Sequence, residues 1–423
     1  MEYTIWQEIQ LPKYPSLDRD ITTDVLVVGG GICGVLCAYR LAKKYKVVLV
    51  EANQIASSRT CKTTATITAL QDIRYRDLIQ QKGIKTAQLY LEANLECLRE
   101  YESLAQEFDF DFERVASYKY FKNNKRLMEE ELKAIQKLGF DATIADDYAI
   151  CFPNQAQMNP LKLISQLLSH IQVYEHTPIF KIKNHIAYTK QYKINAKYII
   201  VATGYPFLKW KGLFPLKLTQ NKSYVAVIEN TENKESFHAI GYEEGDLYFR
   251  TYKNKCIIGG NDQKTGKGIA GFQPLMHYIV RQYPHHRISY QWVNQDCVSV
   301  DGLPYIGPYG NFKRVFVATG FNLWGMTGAM LSSMILSDCI EKKKNRYSEI
   351  VSPKRRSPVF PILKNTGTAI VNLIKPKKRC NHLGCALYFN KEEQVYECPC
   401  HGTKYNQQGD IIFNPAQKKK NLK

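Results

Sequence analysis

The chain has 423 residues, 44% apolar and 23% charged, the balance of a folded protein rather than a disordered one. No run approaches the ~18 consecutive apolar residues of a spanning helix, so an integral membrane protein is excluded. Lys and Arg exceed Asp and Glu by 58 to 39, and the excess is local: residues 341–423 hold 18 basic and 6 acidic residues.

The length allows two or three domains, each with its own core. Four of the twelve cysteines (Cys380, Cys385, Cys398, Cys400) crowd the C-terminal part. The scatter of the other eight fits reduced thiols better than a disulfide framework. The opening stretch has no basic segment followed by an apolar one, so a cytoplasmic location is expected.

In chain order, Asp24–Val28 reads as a buried parallel strand. Gly29-Gly30-Gly31-Ile32-Cys33-Gly34 opens a helical pattern that runs to Lys44, and Val47–Val50 is a second strand ending in Glu51. This is the dinucleotide fingerprint. Gly29 makes the tight turn, Gly31 admits a pyrophosphate, and Gly34 lets helix and strand pack closely. The helix N-terminus presents free N–H groups, and Glu51 accepts from a ribose diol. The fingerprint does not separate FAD from NAD.

Residues 77–140 are mostly helical and amphipathic. Tyr198–Ala202 is an apolar strand running into Thr203-Gly204, and residues 222–265 alternate as an antiparallel sheet does. Arg314–Thr319 is a late strand followed by Gly320-Phe321-Asn322-Leu323-Trp324-Gly325-Met326-Thr327-Gly328 and a helix. Parallel-type strands early, in the middle and late, with an antiparallel block between them, predict an α/β nucleotide domain built from discontinuous segments.

GGGICG with Glu51, VATGYPF, DGLPYIG and VATGFNLWGMTG resemble the D-amino-acid-oxidase and glycine-oxidase type of FAD flavoproteins. The resemblance spans most of residues 1–345, including Trp6 and the TTATIT segment. It implies FAD bound by Gly29, Gly31, Gly34, Glu51 and Thr64, with Gly320, Phe321, Trp324, Gly325 and Thr327 near the isoalloxazine or ribityl chain. It also implies oxidation of an amine at the neighbouring carbon, with the protein binding, orienting and excluding water. Tyr224 and Arg250 on the inserted sheet are candidates for a substrate carboxylate; a sheet-surface tyrosine and a solvated arginine are the alternative. Cys61 and Thr66 depart from the family pattern. Cys297 lies near the late glycine segment and reads as a buried, inert thiol rather than a covalent flavin link.

Near the C-terminus, Cys380-x-His382 is followed after fifteen residues by Cys398-x-x-His401. One thiolate and one imidazole per loop suit a [2Fe–2S] cluster with two Cys on one iron and two His on the other. A Cys₂His₂ zinc site is the alternative, although zinc signatures pair like with like. CNHLGC…CPCHGT resembles a respiratory-type Rieske domain. That resemblance implies Cys380, His382, Cys398 and His401 as ligands and a disulfide between Cys385 and Cys400. Thr403 and Tyr405 take positions that hydrogen-bond toward the cluster or its ligands. Few residues precede Cys380 to form the base such loops usually rest on.

The expected layout is an FAD domain of residues 1–80, 150–215 and 290–345, and a substrate region of 81–149 and 216–289. A basic linker, 346–375, then leads to a small all-β Rieske module, 376–423. The expected function is oxidation of an amine or amino-acid-like substrate, with electrons passing from flavin through the cluster to an acidic one-electron acceptor protein. A flavoprotein with a zinc or redox-sensing tail on an acidic partner is the second reading, since basic runs can meet nucleic acid or anionic membranes. A solvated tail is the commoner use of such runs, and nucleic acid is not expected.

Overall fold

The computed structural model describes residues 3–72, 74–208, 211–229, 236–242, 246–266 and 271–421; Leu422 and Lys423 of the basic tail lie outside them. The apolar strand Ile21–Val28 pairs in parallel with Val47–Val50 on one side and Lys193–Gly204 on the other. Val315–Thr319 adds a further parallel strand and Tyr305–Pro308 an antiparallel edge. Residues from the start, middle and end of the chain therefore build one eight-stranded sheet. Its central segments, residues 25–28, 47–50, 199–202 and 315–318, read as continuous apolar runs because both faces are covered there. The Ile32–Ala42 and Gly325–Glu341 helices lie over one face, both almost wholly buried.

A second, nine-stranded sheet carries the inserted block. Leu218–Glu229 and Ile288–Ser299 pair antiparallel along nearly their whole length, from Leu218 opposite Ser299 to Ile228 opposite Ile288. Ala149–Gln157 pairs with Glu113–Tyr120 in the same sheet. The expected boundaries at 150 and 290 therefore move, because both strands complete this sheet rather than the nucleotide domain.

The segment expected as a basic linker is structured. Tyr347 and Val351 are buried, and the Val351 carbonyl accepts from Ile306 N–H. Arg355 pairs with buried Asp301 at 2.6 Å. Residues Val359–Ile374 then form a helix that leads into the C-terminal module.

That module is a four-stranded antiparallel sheet, Tyr388–Asn390, Val395–Glu397, Lys404–Tyr405 and Ile411–Phe413. The base expected to be missing comes from its neighbours. Ala369 of the helix packs against the cysteine-rich core, and Asn372 accepts from Ala386 N–H and Tyr388 Oη. The Leu218–Glu229 strand supports the module from the other side, so a short module can do without a large core of its own.

Candidate active site and iron–sulfur centre

The first glycine turn is built for close approach. A Cβ on Gly34 would lie 1.9 Å from the Gly29 carbonyl oxygen, and one on Gly29 2.5 Å from that of Ala202. Gly31 caps the Ile32–Ala42 helix with no side chain of its own, and Ile32 N–H is met by Thr60 Oγ1 at 3.1 Å. Glu51 accepts from Gly30 N–H at 2.7 Å and Asn53 N–H at 3.0 Å, which orients the carboxylate at the end of its strand. Burial nevertheless pushes its pKa up.

At the other end, Gly325 begins its helix with open space where a Cβ would stand. Thr327 Oγ1 accepts from Gln71 Nε2 at 3.0 Å and bonds back to the Trp324 carbonyl. Phe321 folds over Gly328, and Gly320 packs near Leu218 and Ser299. A cradle free of Cβ atoms at one end and open space at a helix N-terminus at the other fit a dinucleotide such as FAD. Gly34→Ala is expected to yield protein that folds without flavin, read as loss of absorbance near 450 nm in the purified sample.

One cavity opens beside these segments. Thr64, Leu323 and Trp324 line it from the nucleotide side, and Ser223, His238, Tyr248, Arg250, Asp262 and Asp296 line it from the inserted sheet. His238 is buried at the cavity wall, and its Nδ1 bonds to Ser117 Oγ at 2.9 Å. Burial, with Arg250 nearby, lowers its pKa to about 3, so the ring is neutral. Asp262 and Asp296 shift the opposite way. Burial, with a contribution from Asp296, raises Asp262 to about 7. Burial, partly offset by Arg59, raises Asp296 to about 6.

The two substrate candidates part company here. Arg250 lines the cavity but is buried and already engaged: Nε donates to Gln157, one terminal nitrogen to the Thr64 carbonyl, the other to that of Met158. Tyr224 is elsewhere. Its hydroxyl donates to Glu393 of the C-terminal module at 2.9 Å. Alternation along the strand explains this: Gln220, Lys222 and Tyr224 point to the module, while Ser223 points to the cavity. On the paired strand, Gln295 donates to the Gly402 carbonyl, while Asn294 and Asp296 line the cavity. One layer of sheet thus separates the cavity from the module. His238, Asp262 and Asp296 were not legible in the sequence, since no local motif marks them.

The cluster loops face this layer. The sulfurs of Cys385, Cys398 and Cys400 lie within 4.8 Å of one another. Cys380 Sγ accepts from His382 N–H at 3.4 Å and lies 3.7 Å from Tyr405 Oη. The expected disulfide is not formed in this structure: Cys385 and Cys400 are free thiols. The His382 and His401 rings stand 4.8 Å apart, nearly perpendicular, and both are buried. His401 donates from Nε2 to the Pro215 carbonyl at 3.1 Å, while its buried Nδ1 has no partner among the described residues. That bond fixes the tautomer and leaves the Nδ1 lone pair for a metal. Neighbouring thiols and a buried imidazole nitrogen without a partner fit an iron–sulfur cluster.

Docking is tight and polar. Gln220 Nε2 bridges the His401 and Asn414 carbonyls, and Asn414 Nδ2 donates to the Thr203 carbonyl at 2.8 Å. Tyr205, in the VATGYPF segment, places its ring 5.8 Å from His382 and 6.2 Å from His401. Below them Lys222 and Lys404 meet Glu393 and Glu397 at 2.5–3.3 Å, all four buried.

Fold and site together define a flavoprotein oxidoreductase joined to an iron–sulfur module, and the chain belongs to the FAD dependent oxidoreductase family, whose profile matches residues 24–339. Its C-terminal part is a Rieske [2Fe-2S] domain, matched over residues 372–423. A Bacillus subtilis protein, YhfW, named for a Rieske 2Fe-2S iron-sulfur centre, is 29% identical and aligns over 98% of this chain and 96% of its own length. The cytochrome b6-f complex iron-sulfur subunit 1 of Nicotiana tabacum is 31% identical over 26% of this chain and 47% of its own. Glycine oxidase from Geobacillus kaustophilus has the same fold, with TM-score 0.66 and 18% identity over 80% of this chain and all of its own. The cofactors are accordingly FAD and a [2Fe–2S] cluster, in place of the zinc alternative.

Proposed function

We propose that the protein oxidises an amine or amino-acid-like substrate in the cavity between the two sheets and delivers the electrons through the Rieske centre to a one-electron acceptor. Flavin takes two electrons from a substrate at once, and a [2Fe–2S] cluster passes them singly. The observation that carries this reading is the burial of both cluster histidines against the end of the Lys193–Gly204 strand, with Tyr205 between. That edge of the module faces the flavoprotein body rather than solvent.

The residues supply binding and proton handling. Trp324 and Leu323 close the nucleotide side of the cavity, and Phe249 and Ile240 line the opposite sheet. Neutral His238 adds a polar, uncharged group to the cavity wall, and the paired acids Asp262 and Asp296 offer a substrate ammonium its counter-charge. Glycine oxidases and amino acid deaminases among proteins of this fold support the substrate class. The roles of the glycines, Glu51, the late segment and the four cluster ligands, with Cys385 and Cys400 as a brace that forms on oxidation, belong to this proposal.

Anaerobic mixing with substrate should bleach the flavin and then bring up a reduced Rieske EPR signal at a rate independent of protein concentration. Reduction of oxygen alone, with a silent cluster, would overturn the reading. A pH profile tests the cavity. Below pH about 6, Asp262 and Asp296 are neutral; they ionise as pH rises through about 6 and about 7. The kcat/KM for a cationic amine is expected to climb through that window, and Asp262→Asn should remove the upper part of the climb.

A further inference from the structure

We propose that the Val359–Ile374 helix seats this protein on an anionic lipid surface. The helix is turned inside out relative to an ordinary surface helix. Its inner face carries polar side chains: Asn365 donates to the Leu216 carbonyl, and buried Asn372 holds Tyr388 Oη and the Ala386 N–H. Its outer face carries Val359, Phe360, Leu363, Ile370, Val371 and Ile374, which are 69%, 77%, 60%, 56%, 48% and 76% exposed. Successive spacings of four, seven and four residues put Val359, Leu363, Ile370 and Ile374 on one stripe. Scattered exposed apolar residues need no explanation, but a continuous strip of this kind marks an interaction surface.

Charge selects the occupant. From Ile350 to Lys391 the chain has nine Lys and Arg and no Asp or Glu. Arg355 is committed to Asp301, but Lys354 and Arg356 before the helix, Lys364 on it and Lys377 after it are exposed. An apolar strip bracketed by cations is complementary to a layer with hydrocarbon below anionic headgroups. Sixteen residues make a helix of about 24 Å, and no helix among the described residues is long and apolar enough to cross a membrane. The helix therefore lies in the interface plane. Leu373 packs beside Gly384 in the first cluster loop, so seating the helix also brings the outer flank of the iron–sulfur module to the lipid.

The test is co-sedimentation of the full-length holoprotein with vesicles of phosphatidylcholine alone or with about a third phosphatidylglycerol. Binding to the anionic vesicles should be at least about tenfold tighter and should weaken as salt is raised. Ile370→Asp and Leu363→Asp, both at exposed positions, should each cut it by about tenfold or more, with flavin absorbance, cluster EPR and substrate-driven flavin bleaching unchanged. Failure of the wild-type protein to bind either vesicle would overturn the proposal, as would equal binding by the variants. A dimer that Ile370→Asp dissociates, without vesicle binding, would assign the strip to a second copy and equally overturn it.

Discussion

His401→Ala protein is expected to keep its flavin and its substrate-driven flavin bleaching but to lose the Rieske EPR signal, and its turnover with cytochrome c should fall by about two orders of magnitude. The imidazole is held by the Pro215 carbonyl at Nε2, and its buried Nδ1, without a partner among the described residues, is the nitrogen proposed as an iron ligand. In the proposed ligand set, removing it takes one of two nitrogen ligands and leaves the glycine turns and cavity untouched. A His401→Cys variant separates ligation from electron flow. It restores a protein ligand, but a thiolate in place of a neutral imidazole lowers the cluster potential, so signal should return with a shifted potential. Unchanged cytochrome c turnover in His401→Ala would mean that electrons leave from the flavin directly, and the proposed route would fall.

The second large effect is expected at the charge cluster under the module. Lys222→Met removes a fully buried cation from between Glu393 and Glu397, leaving carboxylates short of compensation, and should cost about 3–5 kcal/mol. Differential scanning calorimetry and hydrogen exchange over residues 388–413 would measure it, with the nucleotide sheet staying protected. Combining Lys222→Met with Glu393→Gln should recover part of the loss, since it removes one of the stranded charges.

The same cluster sets a pH dependence. Burial pushes the Glu393 carboxyl up, but Lys404 and Lys222 outweigh it and hold the group at about 2. A depressed folded-state pKa stabilises above the unfolded value of about 4.5 and is lost as pH falls toward about 2. The difference in melting temperature between wild type and Glu393→Gln should therefore be full above about pH 5 and shrink below it.

Much of this molecule was legible in short stretches of sequence. The strand–glycine turn–helix–strand–acid unit and the two cluster loops are contiguous, and their chemistry depends on spacing along the backbone, which folding does not alter. The resemblance to flavoprotein oxidases and Rieske domains rested on the same contiguous residues. What pairing across the sheet decided was different. Tyr224 is on the inserted sheet as expected, but strand alternation turns it with Gln220 and Lys222 toward the module, and Ser223 takes the cavity side.

His238, Asp262 and Asp296 come from three separate strands, so no window of sequence contains the site they line. The four buried charges likewise bring Lys222 to residues 171 and 175 positions away. Residues 346–375 read as a basic linker because their charge is visible locally. Which side of the helix faces the protein was settled by Asn365 and Asn372 finding buried partners there. Local backbone geometry and ligand spacing belong to the sequence; the face on which a side chain is buried belongs to the tertiary structure, because only a packed neighbour can desolvate it.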